Sequence, residues 1–377
     1  GGTVGSLNGA VQIFSTDFSQ TGSSQTVQVN ASTFNGSGTN RTSANTDSNT
    51  FTYSFNGDTT APALSSVAIV SDNADNTKAK VGNEITLSFT ASETIQTPTV
   101  TFLSGGAAIT DTSITYTNTG GNNWTAKYTT DSNDTEGPIT YSIAYSDIAG
   151  NAGTAVISGS GSVTFDKTVP TLSGVAIESN NTPNTTAKLG SEITLSFTAS
   201  EQIQEPIVTF KSGPGAGNAI TNTVSYANAS GNKIDWTAKY IVHASDTDGS
   251  VTYSIAYSDI AGNPGSAVTT GSGSVTVDKT APTLSSVDIV SNNSTNNTRA
   301  KLGNEITLSF TASETIQTPT VTFLSDGNSI NNSVSYANSG NDCTAKYTVD
   351  TSDSDGQVSY KIEFSDIAGN DGVDVET

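Results

Sequence analysis

The sequence contains no methionine, a single cysteine and a single histidine in 377 residues. Without methionine, even as an initiator, the chain is expected to be a processed or excised piece of a longer product, and the lack of a leader says nothing about export. One cysteine, Cys343, closes no intrachain disulfide, and one Cys with one His offers no zinc spacing. His243 stands beside the turn "ASDTDG" with no nucleophile near it in sequence, and is expected to be a surface residue. No run approaches the roughly 18 apolar residues of a membrane span, so no membrane insertion is expected. Basic residues are also scarce. Fourteen Lys and Arg against 35 Asp and Glu leave a net charge of −21. Phosphate binding needs a Lys/Arg surface, which excludes nucleic acid as a partner. Glycines fall in hairpin turns and not between a strand and a helix, so no phosphate loop is predicted. No catalytic residue is assigned, and the chain is not expected to be an enzyme.

What the sequence does have is repetition. "TAPALSSVAIVS" (60–71), "TVPTLSGVAIES" (168–179) and "TAPTLSSVDIVS" (280–291) open three copies. "YSIAYSDIAGN" stands at 141–151 and again at 253–263, and returns at 360–370 as "YKIEFSDIAGN". Pro62 to Pro170 is 108 residues and Pro170 to Pro282 is 112. That period suits a whole sandwich domain better than a solenoid unit.

The second copy carries seven strand signals, at 172–177, 193–199, 207–210, 220–226, 236–242, 251–257 and 272–277. Ile193, Leu195 and Phe197 alternate with Thr194, Ser196 and Thr198, the period of a strand with one buried face. Trp124 and Trp236 fall mid-strand as core residues, and Cys343 takes their place in the third copy as a small hydrophobe. The predicted fold is all-β, a tandem array of seven-stranded immunoglobulin-like β-sandwiches. The boundaries read as 59–166, 167–278 and 279–377. Residues 1–58 form an incomplete or divergent β segment with strand signals "AVQIFS", "TVQVNAST" and "TFTYSFNG". The third copy stops at "GNDGVDVET", short of the "GSGSVTFD" and "GSGSVTVD" runs that close the first two, so it lacks its closing strand, as expected if the piece is cut there and the strand follows, with a slot for a strand from a neighbouring chain as the alternative.

The linkers "GDTTAP" (57–62), "FDKTVP" (165–170) and "VDKTAP" (277–282), with the "SDIAGN" turn, resemble the bacterial Ig-like domains strung together in large secreted and surface proteins. The resemblance spans about residues 59–377 and implies an extracellular or cell-surface, adhesin-like setting.

In a seven-strand sandwich the incoming linker, the loop after strand two and the loop after strand six share one pole. Three carboxylate sets are predicted there: Asp58, Glu93 and Asp147; Asp166, Glu201 and Asp259; Asp278, Glu314 and Asp366. All-oxygen clusters suit Ca²⁺, which takes six to eight oxygen ligands, and Asn151, Asn263 and Asn370 are placed to add a side-chain carbonyl. Plain turn chemistry, in which Asp and Asn before Gly bond their own backbone, stands beside that reading. A second acidic turn, "DSNDTEG", "SDTDG" or "DTSDSDG", falls at the opposite pole, which puts Asp246 or Asp248 near Asp278.

Three roles follow as expectations. The first is a structural stalk whose partners are neighbouring domains of the same chain, its junctions stiffened by Ca²⁺. The second is a self-assembling subunit of a filament or surface layer, partnered by copies of itself through strand complementation. The third is a glycan- or protein-binding module, which the lack of aromatic residues in the loops disfavours.

Overall fold

A computed structural model describes residues 58–109, 113–229, 231–330 and 332–377, with the backbone of 25–28 and 50–53. The chain divides into two compact units, Gly1–Asp166 and Lys167–Thr377. Among the described residues there is no helix. Gln25–Gln28 pairs antiparallel with Thr50–Tyr53. The expected strand "AVQIFS" lies outside the described residues.

Repeat 1, in the first unit, is a two-sheet sandwich. One sheet runs in the order Leu64–Ser71, Glu84–Ala91, Asn123–Thr129 and Thr115–Gly120. The other runs Lys78–Ala79, Val163–Phe165, Gly137–Ala144, Thr99–Ser104 and Ala107–Ala108. Four strands on one side, and on the other three main strands flanked by two-residue edges, make an immunoglobulin-like sandwich. Repeat 2 repeats it, with Leu172–Ser179, Glu192–Ala199, Asp235–Ile241 and Ser225–Asn228 on one side. Thr186–Ala187, Thr276–Val277, Gly249–Ala256, Ile207–Ser212 and Asn218–Ala219 form the other. The chain is thus an all-β tandem of Ig-like sandwiches. The run expected to be a strand at 220–226 pairs only from Ser225 onward; Ile220 and Val224 instead pack, partly buried, against the core.

Alternation explains the packing. In Glu84–Ala91, Ile85, Leu87, Phe89 and Ala91 are all buried, and the Thr and Ser between them are half exposed. The two sheets meet through the same ring pair in each repeat, Phe102–Tyr128, Phe210–Tyr240 and Phe323–Tyr347, with centroids 4.8 Å apart. Trp236 is buried, Trp124 half-buried, and Cys343 is 2% exposed in the core of repeat 3. His243 is exposed.

Repeat 3 has Leu284–Ser291, Glu305–Ala312, Asp342–Thr348 and Ser335–Ser339 in its first sheet. Its second sheet holds Asn328–Ser329, Thr320–Ser325, Val358–Glu363 and Val375–Glu376. Val375 pairs with Ile362, the place of the Ile143–Val156 bridge in repeat 1. Among the described residues, repeat 3 has no strand that corresponds to Val163–Phe165 or Thr276–Val277.

Candidate metal centre at the linker pole

Each "SDIAGN" turn is anchored by the loop after the second strand. Single bridges join Ile95 to Asp147, Ile203 to Asp259 and Ile316 to Asp366. Ile95 and Ile316 are buried, so core packing fixes where the Asp backbone lies. Gln96 Nε2 donates to the Asp147 carbonyl at 3.0 Å, and Gln317 Nε2 to that of Asp366 at 2.9 Å. The turn closes on itself, with Gly150 N–H donating to the Asp147 carbonyl at 3.2 Å.

Asp147, Asp259 and Asp366 are each 1% exposed. A buried carboxylate is costly unless its oxygens are bonded, and here they are. Asp147 Oδ1 accepts from the Asn151 backbone at 2.8 Å and Oδ2 from the Asn151 side-chain amide at 2.7 Å. Asn263 and Asn370 do the same for Asp259 and Asp366 at the same distances. Burial works to raise the Asp147 pKa, but the bonds from Asn151, Gly150 and Ala149 outweigh it and hold the carboxyl below its usual range.

These contacts revise the expected role of the asparagines. Each turns its amide nitrogen, not a carbonyl, toward the carboxylate. Asn151 Nδ2 also donates to the Asp58 carbonyl at 2.8 Å, and Asn370 Nδ2 to that of Asp278 at 2.9 Å. Through these nitrogens they orient the carboxylates of the cluster.

The sets Asp58, Glu93 and Asp147 in the first unit and Asp278, Glu314 and Asp366 in the second each place one carboxylate oxygen per residue within 4.8 Å of the others. Of the remaining predicted set, Glu201 and Asp259 belong to the second unit and Asp166 is the last residue of the first. The linker carboxylates are half-used, since Asp58 Oδ1 caps the Thr60 N–H at 2.9 Å and Asp278 Oδ1 that of Thr280 at 3.1 Å. The sets repel internally. Burial, then Asp58 and Asp147, push the Glu93 carboxyl above its ordinary range. Burial, then Asp278, Asp366 and Asp248, do so for Glu314.

Two oxygens on opposite sides of one Ca²⁺ lie roughly 4.6–5.2 Å apart, twice the 2.3–2.6 Å ligand distance. Oxygens that all lie within 4.8 Å of one another therefore fit around a single hard cation. Three oxygens are half or fewer of the ligands Ca²⁺ takes, so water or bidentate binding would supply the rest.

Both residues of the second acidic turn reach the residue after Asp278, Asp246 by its carbonyl, which accepts from Lys279 Nζ, and Asp248 by its side chain. Asp248 accepts from Lys279 N–H at 3.2 Å and Thr280 Oγ1 at 2.7 Å, with Lys279 Nζ 3.7 Å away. Asp246 is buried in its own turn, accepting from His243 N–H at 2.9 Å and Asn222 Nδ2 at 3.2 Å. Inside the second unit the junction is bonded on its flank too. Lys188 Nζ donates to the Gly369 carbonyl at 2.6 Å and Asn181 Nδ2 to that of Ala368 at 2.9 Å. Sequence reasoning passed over both residues; their signal was the shared pattern Ser-x-Asn before a Lys at 71–80 and 179–188.

No family model matches the chain, and no curated protein matches it. Among solved structures it is similar to a three-domain I-band fragment of titin, at 13% identity and a TM-score of 0.35, covering 81% of this chain and 94% of that one. A second three-domain titin fragment is 11% identical with a TM-score of 0.31, covering 84% and 98%. The eight N-terminal Ig domains of the Down Syndrome Cell Adhesion Molecule are 12% identical with a TM-score of 0.28, covering 84% of this chain and 41% of that one.

Proposed function

We propose that the chain is a non-enzymatic stalk segment of a secreted or surface-anchored, adhesin-like protein, with Ca²⁺ held where the linkers enter repeats 1 and 3. One observation carries the reading. A linker carboxylate, a loop carboxylate and a buried "SDIAGN" carboxylate converge within 4.8 Å in repeat 1 and again in repeat 3. Left alone they push the linker away from the domain; a divalent cation turns that repulsion into a clamp. Buried Asp147 and Asp366, oriented by Asn151 and Asn370, serve as the fixed ligands. Asp58 and Asp278 bring the linker, and Glu93 and Glu314 complete each set. The stalk holds other parts of the protein at a distance and does no chemistry of its own.

Sites of this kind in extracellular modules bind at roughly 10⁻⁴–10⁻³ M, which suits an extracellular or cell-surface location. At ten times the dissociation constant each site adds about 1.4 kcal/mol of stability. Small-angle X-ray scattering with millimolar Ca²⁺ and then with chelator tests the proposal. Stiffness with calcium and flexibility without it is the expected result. A profile unchanged by chelation would return "SDIAGN" to ordinary turn chemistry.

A further inference from the structure

Two domains on a short linker move relative to each other unless contacts across the joint hold them. Repeats 2 and 3 lie in one compact unit, and residues 278–283 join the last strand of one to the first strand of the other. The linker bonds to both sides. Asp278 N–H donates to the Ala187 carbonyl of repeat 2 at 2.8 Å, and the Asp278 carbonyl accepts from Asn370 of repeat 3 at 2.9 Å. Lys279 N–H and Thr280 Oγ1 turn back to the Asp248 carboxylate of repeat 2, at 3.2 and 2.7 Å. Thr283 N–H then donates to Ser313 Oγ of repeat 3 at 3.0 Å.

The Lys279 ammonium enters a cup of oxygens on the acidic turn of repeat 2. It donates to the Ala244 carbonyl at 2.9 Å and to the Asp246 carbonyl, and Asp248 Oδ1 lies 3.7 Å away. The turn is braced independently of the linker. Asp246 Oδ2 accepts from His243 N–H at 2.9 Å, and Thr247 N–H donates to Ser212 Oγ at 3.2 Å. An ammonium with three donors on a flexible stem suits such a cup. The Lys279 side chain is only 18% exposed there, and a partly buried ion pair is screened less by salt than an exposed one.

A second lysine crosses the other way. Lys188 lies between Thr186–Ala187 and Glu192–Ala199 of repeat 2. Its Nζ donates to the Gly369 carbonyl of repeat 3 at 2.6 Å, and Asn181 Nδ2 donates to that of Ala368 at 2.9 Å. Both acceptors belong to the "SDIAGN" turn, which the Ile316–Asp366 bridge and the bond from Asn370 N–H to Asp366 Oδ1 hold in place. Gly369 has φ +83°, and a Cβ there would come within 3.3 Å of the Lys188 ammonium. Charge gives Lys279 a further effect. Burial raises the pKa of Asp278 and Glu314, and Asp248 adds to the rise in both. Lys279 is the cation set beside Asp248, so its loss would leave one more uncompensated carboxylate at the joint.

We propose that Lys279 and Lys188 clasp repeats 2 and 3 into one rigid body, with the acidic turn of repeat 2 and the "SDIAGN" turn of repeat 3 as their receptors. Lys279 ties the linker back to repeat 2, and Lys188 ties repeat 2 forward to repeat 3. Between the bonded residues Thr280 and Thr283 only Ala281 and Pro282 remain, and proline limits rotation there. The clasp goes beyond the calcium reading: the lysines set the angle of the joint, and a cation at Asp278, Glu314 and Asp366 would relieve the repulsion that strains it.

The test is a distance measured across the joint in the full chain. Nitroxide labels are placed by Thr209→Cys in repeat 2 and Thr322→Cys in repeat 3, both exposed positions, while Cys343 is buried. Pulsed electron paramagnetic resonance is recorded at fixed millimolar Ca²⁺. A single narrow distance is expected, kept in Lys361→Met, whose ammonium pairs with Glu363 and Asp374 inside repeat 3. Lys279→Met and Lys188→Met should each lose the narrow distance and give a broad distribution. A broad distribution in the unaltered chain, or a narrow one retained in both of these variants, would overturn the proposal. Failure of the calcium reading would look different: the unaltered chain would give the same distribution in chelator as in calcium.

Discussion

The side-chain amide of Asn370 donates to the backbone carbonyl of Asp278, 92 residues earlier, at 2.9 Å. The same nitrogen donates to Asp366 Oδ2 at 2.7 Å. One side chain therefore fixes both the buried carboxylate of the turn and the linker that enters the domain. Asn151 makes the matching pair of bonds to Asp58 and Asp147.

Removing that amide should be costly. Asn370→Ala strips a donor from a carboxylate that is 1% exposed, and leaving a buried acceptor unsatisfied costs about 1–3 kcal/mol. Chemical denaturation followed by a probe in repeat 3 is expected to show a loss in that range. An unchanged midpoint would mean that water replaces the amide at no cost.

Glu314 should change sign with calcium. Burial and three neighbouring acids raise its pKa, so its ionised form opposes folding. Glu314→Gln is expected to stabilise the protein in chelator and to reduce the stabilisation that Ca²⁺ adds. Differential scanning calorimetry of both proteins, with and without the ion, gives the four values needed.

The pH dependence in chelator follows from two opposed directions. Glu93 and Glu314 have folded pKa values above their ordinary 4.5. Folding therefore takes up protons, and stability rises as pH falls through the raised values toward 4.5. Asp147 lies below its ordinary 3.8. Its contribution is present above 3.8 and is lost as pH falls through the depressed value. Thermal melts across pH 3 to 7 should pass through a maximum in mildly acidic solution, and calcium should remove the rise on its neutral side.

A bulge in the first strand offers a backbone test. The register shifts between Ser65 and Ala68, Ser173 and Ala176, and Ser285 and Asp288. The bulged residue is Gly174 in repeat 2 at φ +60°, but Ser66 and Ser286 at φ 52° and 53° in the others. A side chain in this left-handed region costs roughly 1–2 kcal/mol. Gly174→Ser should destabilise repeat 2, and Ser286→Gly should stabilise repeat 3, each by about 1 kcal/mol after the opposing change in chain entropy.

Cys343 reports on repeat 3 alone. Burial, and then Asp342, push its thiol pKa up, so little thiolate is present in the native state. Labelling by a thiol reagent should wait for repeat 3 to open. The labelling rate should rise with denaturant in step with loss of that domain's core.

Much of this architecture is legible in the sequence. The copies, the strand alternation and the three carboxylate sets are periodic along the chain, and periodicity can be seen without knowledge of partners. What the sequence leaves open depends on direction. Asn151 reads as a carbonyl donor or an amide donor equally well, and only its neighbours Asp147 and Asp58 decide between them. Asp246 and Asp248 are two residues apart, yet the side chain of one is turned into its own turn and that of the other reaches Lys279 and Thr280. The 220–226 run alternates like a strand, but only Ser225–Asn228 finds an edge to pair with.

By itself, then, the sequence determined an all-β tandem of Ig-like repeats, because alternating apolar residues at a domain-length period leave few other ways to bury them. Tertiary structure alone decided which carboxylates are buried and oriented and which residues hold the junction in the second unit. These depend on where groups distant in the chain come to face one another. A hydrogen bond from Asn370 to Asp278, or from Lys188 to Gly369, exists only once segments far apart in the chain have been packed together.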